Sequence, residues 1–349
     1  MGKINIAGRQ IGVGEPCFIL AEAGVNHNGS LELALHMVDA AVAAGVDGIK
    51  FQTFKTDKLV SFKAPKANYQ AHWTGSNGSQ MEMIKQLELT FENFEVISRY
   101  CSERGIIFLS TPFEEESADF LESIGMAAYK MASGELTNLP FQAHVARKGN
   151  PMIVSTGMST MTEISDTVSI IHESGNPPLM LLHCTSNYPT SAQEVNLRAM
   201  HTLSSSFHVP VGYSDHTEGI EISGIAVALG ACLLEKHFTL DRQMPGPDHQ
   251  ASLEPGELAA LVQSVRRIET ALGTGEKIPT RSEENTALVA RKSLHLRTDL
   301  PARHSLKTDD LVALRPGTGI SPSMLDHVVG HQLKKAMHAG SMLRESDID

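Results

Sequence analysis

The most constraining feature of this chain is a rhythm. From residue 17 to about residue 238, eight short apolar runs are each followed by a stretch with helical periodicity. The runs cover residues 17–21, 46–51, 106–109, 127–131, 152–154, 179–182, 210–213 and 231–234. Repeated strand–helix units bury their strands in a parallel sheet, and eight of them suit a closed (β/α)8 TIM barrel of the α/β class. A doubly wound open sheet is the alternative. Helix punctuation supports the count: Ser30 can cap Leu31–Ala44 before Gly45, Thr160 and Glu163 form a capping box, and Pro255 opens a helix that stops at Gly273. In that last helix Leu258, Leu261, Val262, Val265, Ile268 and Leu272 make one apolar stripe.

Two stretches break the rhythm. Residues 55–80 show little periodicity and contain Tyr69, His72 and Trp73, which suggests a lid over the barrel mouth. The polar segment 273–285 separates the barrel from a terminal module. The expected division is a barrel at 1–275, a linker at 276–290 and a small domain at 291–349. Within that domain residues 302–311 echo residues 339–348, a sign of internal pseudo-symmetry.

The chain has 349 residues, more than one hydrophobic core usually holds, which agrees with a barrel of about 250 residues plus a second domain. A net charge of −11 leaves no basic footprint for nucleic acid, so any anion must be met by locally concentrated cations. No apolar run approaches the roughly 18 residues of a membrane span, and the start MGKINIAGRQ fits neither a secretory signal nor a myristoylation site. A cytoplasmic protein without membrane attachment is expected. Cys17, Cys101, Cys184 and Cys232 form no CxxC pair and are expected as reduced core thiols.

In such a barrel the active site lies at the C-terminal ends of the strands. Here the residues that follow the runs are nearly all polar: Glu22; Lys50 and Gln52; Ser110 and Thr111; Lys130, Ser133 and Glu135; Ser155 and Thr156; His183, Thr185 and Ser186; Ser214, Asp215 and His216; Glu235, Lys236 and His237. One polar strand end means little, whereas convergence from all eight is a signal. Lys50 and Lys130 sit where apolar neighbours are expected, and a buried ammonium is costly without an anion. A salt bridge with Glu22 or Glu235 would satisfy it. So would a phosphate-and-carboxylate cradle built with the hydroxyls of Thr111, Ser133, Ser155 and Ser214.

His216 and His237 end the seventh and eighth strands, which are neighbours in a barrel, so both imidazoles can reach one ion. An ion held by two histidines keeps open positions for Lewis-acid work; the alternative is two structural histidines. Glu22 faces the same mouth as a general acid or base, or as a partner for Lys50. The turn carrying Asp248 can meet sugar hydroxyls or be an ordinary turn, and so too the rigid Arg-Pro-Gly turn, from which Arg315 can reach a carboxylate from outside the barrel.

The motifs Glu22-Ala-Gly-Val-Asn-His-Asn-Gly29, Lys50-Phe-Gln-Thr53, Ser110-Thr-Pro-Phe113, Tyr129-Lys-Met-Ala-Ser-Gly-Glu135, Ser155-Thr-Gly-Met158, Tyr213-Ser-Asp-His-Thr217, Glu235-Lys-His-Phe-Thr239 and Gly246-Pro-Asp248 together resemble the bacterial sialic acid synthase family. The resemblance spans essentially the whole chain, including a C-terminal piece similar to the antifreeze-like SAF domain. It implies that Lys50, Thr111, Lys130, Ser133, Ser155 and Ser214 bind phosphoenolpyruvate, and that His216 and His237 hold a divalent ion, Mn2+ first with Mg2+ or Co2+ as alternatives. Ser186 stands where some members have Asn, with Asn187 beside it. Gln52, Glu135, Tyr188, Asp248 and Arg315 fall on the sugar side. The family swaps its SAF domain across a homodimer, which would put Arg315 in the partner's site.

The implied reaction joins C3 of phosphoenolpyruvate to the aldehyde of an N-acyl mannosamine-type sugar. Water then adds at C2, and phosphate leaves by C–O cleavage to give a nine-carbon 2-keto acid. Glu22 is the expected proton-transfer group. Residues 21–29, 50–55, 67–70 and 79–88 look closer to the branch with legionaminic acid synthases, but N-acetylneuraminate and N,N'-diacetyllegionaminate both stay open as products. The rivals are another metal-dependent barrel enzyme, such as a hydrolase, and a noncatalytic carbohydrate-binding protein.

Overall fold

The computed structural model describes residues 2–74 and 78–349, leaving aside the side chains of Asn68, Tyr69 and His72. The chain divides into two compact units, Met1–Gly273 and Thr274–Asp349. The first opens with a hairpin of β1 (Ile4–Ile6) and β2 (Arg9–Ile11), whose Ile4, Ile6 and Ile11 join the barrel core. Eight parallel strands follow: β3 (Phe18–Gly24), β4 (Gly48–Thr53), β5 (Ile107–Pro112), β6 (Tyr129–Met131), β7 (Met152–Ser155), β8 (Leu179–Cys184), β9 (Val211–Asp215) and β10 (Leu233–His237). Pairing of β10 with β3 closes the barrel, so the open-sheet alternative is excluded.

The strands run two or three residues beyond most of the apolar runs and begin later than several of them. Apolarity marks where side chains meet carbon, whereas the ladder needs only backbone. At the C-terminal ends polar side chains meet one another in a cavity while the strand hydrogen bonds continue. The polar residues read as following the strands therefore lie largely within them.

Helices cover the barrel: α1 (Leu31–Ala44), α2 (Thr56–Leu59), α3 (Asn68–Thr74), α4 (Gln80–Lys85), α5 (Phe91–Arg104), α6 (Glu115–Ser123), α7 (Leu139–Ala146), α8 (Met161–Ser174), α9 (Ala199–Phe207), α10 (Glu221–Ala228) and α11 (Pro255–Leu272). The Ser30 hydroxyl caps α1, which ends at Gly45, and the Thr160/Glu163 capping box opens α8. In α11 the stripe is buried at Leu258, Leu261, Val262 and Val265 and packs at Ile268, but Leu272 is 54% exposed because the last turn is uncovered. All four cysteines are free and buried.

Residues 55–80, read as aperiodic, contain α2, α3 and the start of α4. These helices are too short to display a period. The lid expected there falls partly outside the described residues, at 75–77 and at the side chains of Tyr69 and His72; Trp73 is 40% exposed.

In the second unit a 3-10 turn (Arg281–Glu283) leads into α12 (Glu284–Ala290), so the expected linker is partly helical. Its core gathers Leu294, Leu296, Leu306, Leu311, Leu333 and Leu343 around the antiparallel pair β11 (Ser293–Leu296) and β12 (Leu311–Leu314). The sequence echo has a structural counterpart. Lys307 N–H donates to Asp310 at 2.9 Å and Arg344 N–H to Asp347 at 3.0 Å, each opening a single 3-10 turn. Among the described residues no helix is long and apolar enough to cross a membrane.

Candidate active site

Side chains alternate along a strand, so each barrel strand sends every second residue inward. Lys50 and Gln52 of β4 line the central cavity and Phe51 does not; Glu235 and His237 of β10 line it and Lys236 does not; Ser214 and His216 line it and Asp215 does not. The inward set surrounds a cavity of about 500 Å³ at the C-terminal mouth of the barrel.

Its floor is an alternating cluster of four buried charges. Lys50 Nζ lies 2.6 Å from Glu22 Oε2 and 3.9 Å from Glu235 Oε2, and donates to Thr111 Oγ1 at 2.9 Å. Lys130 Nζ lies 3.5 Å from Glu235 Oε1 and donates to the Met131 carbonyl at 3.2 Å. Gln52 Nε2 donates to Glu22 Oε1 at 2.9 Å, and Ser214 Oγ to Glu235 Oε1 at 2.8 Å. Both structural salt bridges that the sequence allowed are therefore present.

The environment separates the two carboxyls. Burial raises Glu22, and Lys50 and Gln52 oppose it only in part. Burial would raise Glu235 as well, but Lys130, Lys50 and the Ser214 hydroxyl outweigh it and hold that carboxyl low. Burial lowers Lys130. One carboxyl is thus disposed to carry a proton beside another that stays charged, a division typical of acid–base sites.

Hydrogen-bonding capacity is left over for a ligand. Thr111 accepts from Lys50, which leaves its own hydroxyl proton to give. Ser155 Oγ is buried without a partner. Ser133 Oγ accepts from the Gly157 N–H at 3.0 Å. A Cβ at Gly157 would lie 2.3 Å from Ser186 Oγ and 2.7 Å from Ser133 Oγ, so glycine is what lets these two hydroxyls reach the rim. Two ammonium groups with adjacent uncommitted hydroxyls suit a small polyanion.

At the opposite wall the His216 and His237 rings stand 5.4 Å apart, with the Tyr188 ring 4.1 Å and 5.5 Å from them. His216 Nδ1 lies 2.8 Å from the Thr185 carbonyl and 3.8 Å from Cys184 Sγ. With its proton donated to that carbonyl, Nε2, 3.5 Å from the Ser214 hydroxyl, is the ring atom left to bind an ion. His237 Nδ1 is buried with no partner, and burial holds this imidazole well below its usual range, hence neutral. Against the pull of burial, Cys184 and the Thr185 carbonyl raise His216, so this imidazole would give up a proton on taking a metal, while His237 is neutral already; with that proton released, the pair fits a divalent ion. Among the described residues no group of three His, Cys, Asp or Glu side chains is gathered for one.

Asp248 also lines the cavity, and burial pushes it up to about 6 against the pull of His216 and Lys50. Its loop is held from behind: Ser252 Oγ donates to the Asp248 carbonyl at 2.7 Å and receives Asn26 Nδ2 at 2.9 Å.

All the residues given a catalytic, binding or metal role from sequence line the cavity except Glu135 and Arg315, whereas Ser110, Thr156, His183, Thr185, Asp215 and Lys236 of the strand-end inventory do not. Glu135 ends the 3-10 turn Ser133–Glu135 and accepts from Asn138 at 2.8 Å. That turn presents Ser133 and Gly134 to the cavity in its place. Arg315 is exposed and belongs to the second unit. Ser186 lines the cavity, while Asn187 donates to the Pro189 carbonyl at 3.1 Å. Among the lining residues on the barrel strands, two were not assigned a role from sequence: Glu235, read only as a partner for lysine, and Cys184. Their signal was the alternation, since Glu235 stands two residues before His237 and Cys184 two residues after Leu182.

The NeuB family model matches residues 37–277 and the SAF domain model residues 291–349. The chain is 49% identical to the N,N'-diacetyllegionaminic acid synthase of Legionella pneumophila over 94% of this chain and 93% of that one. It is 43% identical to the enzyme of the same name from Campylobacter jejuni, over 94% and 98%. Among solved structures, the N-acetylneuraminic acid synthetase of Leptospira borgpetersenii superposes with a TM-score of 0.73 at 37% identity, covering 82% of this chain and 95% of that one.

Proposed function

The chain belongs to the NeuB family of enzymes that form sialic and related nonulosonic acids, and from that premise we propose that it condenses phosphoenolpyruvate with 2,4-diacetamido-2,4,6-trideoxymannose to give N,N'-diacetyllegionaminate and phosphate. The observation that carries the reading is the convergence of Lys50 and Lys130 with the available hydroxyls of Thr111 and Ser155, in one cavity with His216 and His237. The choice of sugar rests on the two relatives of that name, at 49% and 43% identity.

On this reading Lys50 and Lys130 neutralise the phosphate and carboxylate of phosphoenolpyruvate, and the hydroxyls of Thr111, Ser133, Ser155, Ser186 and Ser214 orient them. His216 and His237 would hold a divalent ion, Mn2+ first, which when bound supplies Lewis-acid polarisation of the sugar aldehyde. C3 of phosphoenolpyruvate attacks that aldehyde carbon, water adds at C2, and the C–O bond to phosphate breaks. Glu22, raised by burial, carries the proton that this sequence moves. Gln52, Tyr188 and Asp248 face the sugar. The working form is a cytoplasmic homodimer whose exchanged SAF domains bring Arg315 to the partner's site.

The test is phosphate release from phosphoenolpyruvate with Mn2+, comparing this sugar with N-acetylmannosamine, with and without chelator. Release that is fast with the diacetamido sugar and lost with chelator is expected. Preference for N-acetylmannosamine would move the product to N-acetylneuraminate, and no release with either sugar would overturn the reading.

A further inference from the structure

The cavity has two unlike halves. Its floor is the charged cluster, but its roof is carbon. Val25, Phe54 and Leu87 form a small buried cluster separate from the barrel core, with Leu59, Ile84 and Phe113 packed on it, and all six line the cavity. Phe54 and Phe113 meet edge to face at 6.2 Å, which stiffens this surface. Leu59, Ile84 and Leu87 come from the connection between β4 and α5, Leu59 from α2 and Ile84 from α4. An apolar surface turned toward a polar cavity needs a partner, because carbon facing water forgoes the burial that would stabilise it.

Resting on the function proposed above, we infer that this roof is the specificity surface for the far end of the sugar, and that it selects an unphosphorylated 6-deoxy end. The aldehyde carbon must lie at the floor, beside the lysines and histidines. C6 is the other end of the sugar, and so it meets the roof. A C6 methyl is buried there against carbon, whereas a C6 hydroxyl loses its water and gains no partner from these side chains. A C6 phosphate fares worse: among the described lining residues the lysines are Lys50 and Lys130, both on the floor. The roof has one polar edge, where Gln80 Nε2 donates to Gln70 Oε1 at 3.4 Å and the Ala67 N–H donates to the same oxygen at 3.0 Å. That leaves Gln70 Nε2 to donate and Gln80 Oε1 to accept, the complement of an acetamido group at C4.

The experiment compares kcat/KM for four sugars with the wild-type protein: N-acetylmannosamine, its 6-deoxy derivative, its 6-phosphate, and the diacetamido trideoxy sugar. Removing the 6-hydroxyl alone should raise kcat/KM about ten- to a hundredfold, and the 6-phosphate should not turn over. In Leu59→Asn or Ile84→Thr, both at half-buried positions, the preference for the 6-deoxy sugar should shrink by about tenfold. Phosphate release with a 6-deoxy/6-hydroxy ratio near one, turnover of the 6-phosphate, or a ratio unchanged in both variants would overturn the inference and leave the synthase reading standing. Absence of release with every sugar would instead remove the synthase reading on which it rests.

Discussion

Lys50 and Lys130 on one side of the barrel wall and Lys236 on the other are all buried ammonium groups near strand ends, yet their surroundings differ in kind. Lys236 faces outward and is closed in. It donates to Asp215 Oδ2 at 2.9 Å and to the Thr217 carbonyl at 2.6 Å, while Asp215 also receives the Thr217 N–H at 2.9 Å, the Thr217 hydroxyl at 2.8 Å and the Ser223 hydroxyl. Lys50 and Lys130 share two carboxylates across the floor of a cavity, beside a serine hydroxyl and an imidazole nitrogen with no partner. A buried lysine is therefore not in itself a sign of function. What distinguishes the inner pair is a hydrogen-bonding account left open on the side that a ligand can enter.

The contrast breaks most plainly at the inner lysines. Lys50→Met and Lys130→Met are each expected to lower kcat/KM by about two to three orders of magnitude, as loss of one charged contact to a reacting anion does. The melting temperature should move by only a few degrees, because Glu22 and Glu235 border an open cavity where water can replace the lost partner. Phosphate-release kinetics with thermal melts check both halves; retained turnover, or a chain that no longer folds, would erase the distinction. The next largest effect lies outside. Lys236→Met leaves Asp215 buried without its cation and should cost about 3–5 kcal/mol in urea unfolding. The protein that remains folded should turn over normally. Adding Asp215→Leu should recover most of the loss, since a buried pair exchanged whole for carbon is often neutral. A loss below about 1 kcal/mol would mean that the outer pair is not closed in the way its bonds indicate.

How much of this was legible in the sequence follows the same division. The rhythm of apolar runs fixed the barrel because burial and periodicity are local properties of each run. Glu22, Lys50, Lys130, His216 and His237 could be named because charge at the end of an apolar run is unusual. Asp215 and Lys236 stood in the same inventory, and only the alternation about His216 and His237 separates them, which requires knowing where each strand truly ends. Glu135 falls on the sugar side by the resemblance alone, and the 3-10 turn that it ends presents Ser133 and Gly134 to the cavity. The roof was out of reach for another reason: α2 and α4 have four and six residues, too few to show a period, and their shared surface is created only when the segment folds back over the mouth.

The smallest effect is also the most discriminating, because it asks whether the inner and outer lysines differ in access and not merely in bonding. Burial lowers both Lys130 and Lys236, the latter against the pull of Asp215. Acylation requires the neutral amine, and a lowered pKa brings that form in at lower pH than for an exposed lysine, so on titration alone both would react early as pH rises from about 7. Only Lys130 opens to a cavity that a small acylating reagent can enter. Mass spectrometry of the digested protein should therefore show Lys130 modified ahead of the exposed lysines at the lower pH values, and Lys236 unmodified until the barrel unfolds. Phosphoenolpyruvate should slow modification of Lys130 by several-fold and leave the exposed lysines unchanged. Early modification of Lys236 would show that the outer network opens in the native state and reduce the contrast to one of degree. Modification of Lys130 that phosphoenolpyruvate does not slow would keep the contrast in access and remove its connection to the anion.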